Sequence, residues 1–144
     1  MSMYEHFKTD AQTEKDGIWL DYGEFMVRVS RAGGSNKDFQ KTIEKMARPY
    51  RRAIATESLP REKSNEIMMA AYAAAVVRDW KVKDEDGNWS HGIENPDGGE
   101  LLEVNADNVL ATFKLLPELY ADVQEQASSW ALFKANLREE ASGN

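Results

Sequence analysis

The chain has 144 residues, enough for one domain around a single hydrophobic core. Its 42% hydrophobic and 30% charged residues are typical of a globular protein and exclude fibrous and wholly disordered classes. It contains no Cys, which excludes disulfides and Cys-based zinc sites. The net charge of −7 argues against general nucleic-acid binding.

Charge is distributed unevenly along the chain. Residues 28–63 contain ten Lys or Arg against four Asp or Glu, whereas residues 84–144 contain three against thirteen. Two interpretations stay open. The charges form solvated helix faces with local ion pairs, or a basic face contacts a partner, which includes a second copy in a homo-oligomer.

No segment predicts a membrane span. The longest uncharged apolar run, residues 67–77, has eleven residues, and a span requires roughly 18 or more. The first residues do not combine a basic region with an apolar stretch, so we expect no signal peptide. Together with the absence of Cys, these features predict a cytoplasmic protein.

Residues 1–15 are polar and predict an N-terminal arm. Residues 17–31 predict a β-hairpin, because apolar residues alternate along both halves and Gly23 lies between them. The following "RAGGSNKDF" raises the question of a phosphate loop. It matches neither GxxxxGK[ST] nor GxGxxG. We therefore interpret Gly33, Gly34 and Ser35 as a structural joint, with positive φ at a glycine and Ser35 as the helix N-cap.

Residues 35–80 predict a helical hairpin. Pro49 falls within the helical pattern, so we expect a kink or break near 49–60. The second helix contains the apolar run 67–77 and is predicted to end near Trp80. Residues 81–104 are rich in turn formers and predict an irregular loop, in which Asp86-Gly87 can close a small hairpin.

Residues 105–138 predict C-terminal helices, with Asn105 as a cap and Pro117 at the start of the last helix. Residues 139–144 predict a frayed tail. The sum is a single domain over 1–144 that is mainly α, a small helical bundle with a short N-terminal β-hairpin.

No catalytic, cofactor-binding or metal site is predicted. A calcium loop beginning at Asp84 would need Gly at 89 and Glu at 95, where the chain has Trp89 and Asn95. His6 and His91 lack partner ligands at metal spacing. The chain has neither GxSxG nor HExxH. We expect a protein without enzymatic activity and without cofactors.

A string of motifs nevertheless points to a family. These motifs are, in order, "FKTD", "GIWLDYG", "RVSRAGGSNKDFQK", "RPYRRAI", "AVVRDW" and "LPELYADVQEQASSWALF". The chain resembles the tail assembly chaperones of long-tailed, siphovirus-type bacteriophages from about Phe7 to Phe133. Residues 84–103 match least well.

The resemblance implies a small, mostly helical, non-enzymatic protein of the host cytoplasm that is absent from the mature virion. Such chaperones bind and solubilise the tape-measure protein during tail morphogenesis. Many are also made in a longer, frameshifted form, whose extension recruits the major tail (tube) protein. Since a tape-measure protein is a long amphipathic helix, a helical partner with an apolar groove can hide it from water.

The predicted partner interface combines apolar anchors with basic residues. It comprises Arg48, Arg51 and Arg52 together with the stripe Leu119, Tyr120, Val123, Trp130 and Phe133. The competing interpretation places the stripe wholly in the core. Two alternative functions stay open: a nucleic-acid-associated regulator that uses "RPYRR" at 48–52, with Tyr50 stacking on a base, and a structural tail-completion protein.

Overall fold

Four strands form one antiparallel sheet in the computed structural model, which describes residues 2–135. The strands, in their order across the sheet, are β1 (Ile18–Asp21), β2 (Phe25–Val29), β3 (Val77–Lys83) and β4 (Trp89–His91). The helices are α1 (Met3–His6), α2 (Ala11–Asp16), α3 (Lys37–Ala47), α4 (Arg51–Ala55), α5 (Arg61–Ala75), α6 (Ala106–Leu115) and α7 (Pro117–Ser128). Two 3₁₀ turns lie at Arg48–Tyr50 and Trp130–Phe133.

The prediction of a mainly α bundle is wrong, because the fold is mixed α/β. The N-terminal hairpin is only half of the sheet, since β3 pairs with β2 and β4 with β3. An isolated hairpin is marginally stable, whereas a sheet of four strands with one apolar face is stable when helices cover that face. The second half of the sheet comes from segments predicted as helix and loop.

The β2–β3 pairing joins segments about fifty residues apart in the chain. Val27 lies opposite Trp80 and Phe25 opposite Val82. Trp80 is 2% exposed, and its indole Nε1 donates a hydrogen bond to the Leu102 carbonyl at 2.9 Å. The helix predicted to end near Trp80 therefore ends earlier, at Ala75. A short apolar run fits helix and strand equally well, and the available partner strand decides.

The predicted irregular loop 81–104 also contains strand. β4 closes on β3 through a turn in which the Asp84 carboxylate accepts hydrogen bonds from the backbone N–H groups of Asp86 and Asn88, both at 2.9 Å. Beyond β4, Ile93 and Leu102 form a bridge. The turn-forming residues in this segment thus connect short stretches of paired β-structure.

Helices cover one face of the sheet. Core residues shared by the sheet and α5, α6 and α7 are Val27, Val29, Val77, Trp80, Ala71, Tyr72, Val109, Phe113, Val123 and Ala127. On the opposite face, the Lys81 Nζ lies 4.3 Å from the ring centroid of Trp19 and 5.2 Å from that of Trp89. This cation–π arrangement covers the outward-facing Trp rings of the two edge strands.

The predicted N-terminal arm contains α1 and α2. Asp10 caps α2, accepting a hydrogen bond from the Thr13 N–H at 2.8 Å. Glu14 of α2 is 2% exposed and pairs with Arg31, which follows β2. Burial raises the pKa of the Glu14 carboxyl, but hydrogen bonds from Arg31, Ser35 and Thr9 outweigh it and hold the pKa below its ordinary value.

The Gly33-Gly34 joint connects the sheet to α3. Gly33 has φ +123° and Gly34 has φ +54°, a region that favours glycine. The predicted N-cap is wrong, because Asn36 and not Ser35 precedes the first helical residue. The Asn36 side chain caps nothing and instead donates hydrogen bonds to the carbonyls of Arg31 and Ala75, both at 2.9 Å.

Pro49 interrupts the helical pattern after α3, where the chain forms a 3₁₀ turn and then the short α4. Asn105 caps α6 as predicted, accepting a hydrogen bond from the Asn108 N–H at 2.8 Å. α7 begins at Pro117 and stops at Ser128. The predicted frayed tail, 139–144, lies outside the described residues, as do positions 136–138 of the predicted C-terminal helices.

Trp80 and Trp89 provide a matched test of the sheet. Trp80→Ala should lower the free energy of unfolding by about 3–5 kcal/mol, because it removes a buried ring and its hydrogen bond. Trp89→Ala, at a side chain that is 39% exposed, should cost less than about 1 kcal/mol. Urea unfolding of both variants measures the difference, and equal losses would contradict the strand assignment of Trp80.

Glu14 predicts a specific pH dependence of stability. Its lowered pKa means that the ionised group stabilises the fold above the ordinary value of 4.5, and that this contribution is lost as the pH falls through the lower folded value. Glu14→Gln should cost about 1.5–3 kcal/mol at neutral pH. The difference from the wild type should shrink below pH 4.5 in urea unfolding. A difference that does not vary with pH would contradict the ion pair.

Candidate functional site

The predicted interface residues lie in two separate places. Arg48, Arg51 and Arg52 follow α3, whereas the C-terminal stripe belongs to α7 and the last 3₁₀ turn. In the helical layer α3 packs on α5, α5 on α6, and α6 on α7. The arginines and the stripe thus lie on different elements of the fold.

The C-terminal stripe is mostly core. Val123 and Phe133 have 0% exposure, which corrects their assignment to a partner surface. Leu119 and Tyr120 are half-buried and pack against the core cluster. Trp130 is also half-buried, and its ring lies 4.8 Å from that of Phe7. These stripe residues therefore pack mainly against other parts of the same chain, as the apolar face of a helix usually does.

The three arginines are all exposed. They lie where Pro49 ends α3, because proline cannot donate the next helical hydrogen bond. α4 packs chiefly on the adjoining 3₁₀ turn. Its Ile54 is 45% exposed.

Two apolar grooves flank this segment. The first has a volume of about 320 Å³ and is lined by Ile43, Ala47, Ile54, Glu57, Leu59, Ser64, Ile67 and Met68. The second has a volume of about 470 Å³ and is lined by Met46, Pro49, Tyr50, Lys63, Glu66, Ile67, Met69, Ala70, Leu110 and Lys114. Ile67 lies between them and borders both. We call these grooves, together with Arg48, Arg51 and Arg52, the α4 surface.

Methionines give the α4 surface an adaptable character. Met46, Met68 and Met69 line its grooves, and the flexible thioether side chain adjusts to differently shaped apolar partners. Within residues 2–135, Arg48, Arg51 and Arg52 make no ion pair with an acidic side chain. The surface thus offers apolar grooves beside cations that are available to an acidic partner.

Sequence reasoning found the arginines but missed the apolar half of this surface. Ile54 and Leu59 lie in a mostly polar segment, whereas Ile67 begins the apolar run 67–77, so no single helical stripe includes all three. The sequence signal for this surface was Pro49. A helix broken by proline leaves the apolar residues on both sides of the break without a continuous helix to pack against.

Within the described part of the chain, no group of three or more His, Asp or Glu side chains is placed to hold a metal ion. In the same residues no helix combines the length and the hydrophobicity that crossing a bilayer requires. With its apolar grooves and exposed arginines, the α4 surface is a candidate for binding another macromolecule.

The comparison with protein families gives a decisive finding. A profile described as YdaY prophage protein matches residues 34–144, which is more than three quarters of the chain. The chain belongs to the YdaY prophage protein family. The predicted phage origin is thereby confirmed. The matched region contains the whole α4 surface, whereas β1 and β2 precede it. No curated protein and no solved structure matches the chain.

Burial distinguishes the C-terminal stripe from the α4 surface experimentally. Phe133→Asp should unfold the protein or cost more than about 4 kcal/mol, because it places a charge at a fully buried position. Ile54→Asp should cost far less, about 1 kcal/mol, because Ile54 is 45% exposed and the new carboxylate can reach water. Circular dichroism with urea unfolding measures both, and a stable Phe133→Asp protein would return that residue to the surface.

Proposed function

We propose that the protein is a phage tail assembly chaperone that binds the tape-measure protein through the α4 surface. The observation that carries the proposal is the pair of Met-lined apolar grooves beside three exposed arginines. Membership in a prophage family and the resemblance to tail assembly chaperones support it. The protein acts in the host cytoplasm, has no enzymatic activity and leaves before the virion is complete.

A tape-measure protein presents the kind of ligand that such grooves suit. The apolar stripe of a long amphipathic helix repeats every three or four residues, and neighbouring anchors lie about 5–6 Å apart. One anchor would enter each groove, with Ile54 and Ile67 packing against them. Because successive turns of the client differ in sequence, adaptable methionines allow the same surface to bind many of them.

The arginines give the contact its electrostatic component. Arg48, Arg51 and Arg52 attract a client helix that carries acidic residues beside its apolar stripe, and they orient it along the grooves. Arg forms bidentate hydrogen bonds with carboxylates, so a pair with client Asp or Glu fixes register as well as charge. The protein's overall charge of −7 keeps the chaperone–client complex soluble.

The resemblance also suggests a further partner, the major tail (tube) protein, reached through a longer frameshifted form.

Two alternative functions are distinguished by experiment. For a nucleic-acid regulator, Tyr50 would have to stack on a base, but its ring is half-buried and the Lys63 Nζ lies 5.3 Å from the ring centroid. A salt-sensitive gel shift would favour that alternative. Presence in purified virions would favour a tail-completion protein.

Co-purification with the tape-measure protein of the same prophage tests the proposal. Ile54→Asp, and separately Arg51→Glu/Arg52→Glu, should each weaken binding at least about tenfold, because they place charge in a groove or reverse the steering cations. Both variants must first show the melting temperature of the wild type.

Two controls change exposed residues outside the α4 surface. Leu115→Asp alters a leucine that is 64% exposed, and Lys8→Glu reverses an exposed cation. Both should retain wild-type binding. Folded Ile54→Asp and Arg51→Glu/Arg52→Glu proteins that bind the client as the wild type does would refute the α4 surface. If the wild type captures no tape-measure protein, the chaperone function itself is wrong.

A further inference from the structure

One end of the sheet is strongly acidic. The β1–β2 and β3–β4 turns lie together at this end, because Phe25 pairs with Val82 and the Lys83 N–H donates to the Glu24 carbonyl at 2.8 Å. We call the exposed carboxylates of the two turns the acidic end; they are Asp21, Glu24, Asp84, Glu85 and Asp86. Lys83 is a cation beside them, and its Nζ lies 5.2 Å from the Trp89 ring centroid.

The opposite end of the sheet is basic. Here β2 ends, β3 begins and α3 starts, and two adjoining clefts of about 440 and 280 Å³ are both lined by Arg78 and Asp38. We call the cations that line these clefts the basic end; they are Lys15, Lys37, Lys41, Lys45 and Arg78. The acids nearby are Asp38, which lines both clefts, and Asp16, which follows Lys15 in the chain.

Buried polar groups fix the centre of the basic end. The Arg78 Nε donates to the Ser30 hydroxyl at 2.6 Å, and its guanidinium also donates to the Asn36 side-chain oxygen at 3.2 Å. Ser30 is 0% and Asn36 2% exposed. Arg78 is therefore held in place, and an anionic group that binds there does not have to order it first.

The two ends cannot neutralise each other within one chain. Asp84 directly follows β3 and lies six residues after Arg78, which at the rise of a strand corresponds to about 20 Å. That separation exceeds the Debye length of about 8 Å at physiological salt. Within residues 2–135, no carboxylate of the acidic end forms an ion pair, and in the basic end only Arg78 does, with Asp38 at 3.7 Å.

We propose that the acidic end of one copy binds the basic end of a second copy, so that copies associate head to tail. Complementary charge at opposite ends of the sheet gives a heterologous contact, which continues into a ring or an open row of copies. The occupant of the basic clefts is thus the pair of acidic turns of the neighbour. The proposal does not depend on the tape-measure client, since the two ends share no residue with the α4 surface.

Two double variants test the pairing. Lys41→Glu/Lys45→Glu removes the excess positive charge of the basic end, and Glu85→Lys/Asp86→Lys removes the excess negative charge of the acidic end. Asp84 is retained because its carboxylate accepts the hydrogen bonds that close the β3–β4 turn. Sedimentation equilibrium is run at low and high ionic strength, with circular dichroism to verify that each variant is folded.

At low ionic strength the wild type should have an average mass above the 16.3 kDa of one chain, and this mass should fall to 16.3 kDa at high ionic strength. Each double variant alone should remain a monomer at low salt. Mixing the two variants in equal amounts should restore association, because each then meets the opposite charge on the other.

A matched control, Arg61→Glu/Lys114→Glu, makes the same change in net charge as Lys41→Glu/Lys45→Glu at positions outside both ends. It should associate as the wild type does. The proposal is overturned if the wild type is a monomer at low salt, if either double variant alone still associates, or if the mixed variants remain monomeric. Loss of association in the control would also overturn it, since net charge and not location would then be responsible.

Discussion

The pairing of β2 with β3 is the interaction on which the rest of the fold depends. It places Val27 opposite Trp80, about fifty residues away in the chain, and buries both against the helices. Because α3, α4 and α5 all lie between these two strands in the sequence, the pairing fixes both ends of this helical segment. It also joins two hairpins, each marginal alone, into one sheet with an apolar face.

The same pairing distributes the charged and apolar surfaces of the molecule. It brings the β1–β2 and β3–β4 turns to one end of the sheet and Arg78 to the other. It also holds α5 against the sheet, while Pro49 breaks the helix that precedes it. The α4 segment is left outside the regular helical layer, with apolar grooves on both sides. A regular helix through 35–55 would have packed against α5 and closed those grooves.

The proposed function and the proposed self-association use different parts of this arrangement. Client binding needs apolar grooves with adaptable side chains, and the α4 surface provides them. Association between copies needs complementary charge at separate ends, which the sheet provides. A row of chaperones along a long helical client would use both at once: each copy would contact one stretch of the client and its neighbour, and copies would therefore bind more tightly together than singly.

The sequence by itself determined the local features of the protein. Pro49 breaks the helix regardless of how the segment packs, because proline has no backbone N–H to donate. Asn105 capped α6, and the positive φ at Gly33 and Gly34 follows from a tight turn between strand and helix. The motifs also indicated a phage origin, and the family match confirms it. These features depend on a few neighbouring residues.

Only the tertiary structure decided which apolar residues meet. The run 67–77 and Trp80 fit a helix by local pattern, but α5 stops at Ala75 because Val77 to Val82 find a partner in β2. Tertiary packing likewise places Val123 and Phe133 in the core and leaves Ile54 exposed. Whether an apolar side chain becomes core or surface depends on partners far away in the chain. Local periodicity carries no information about those partners.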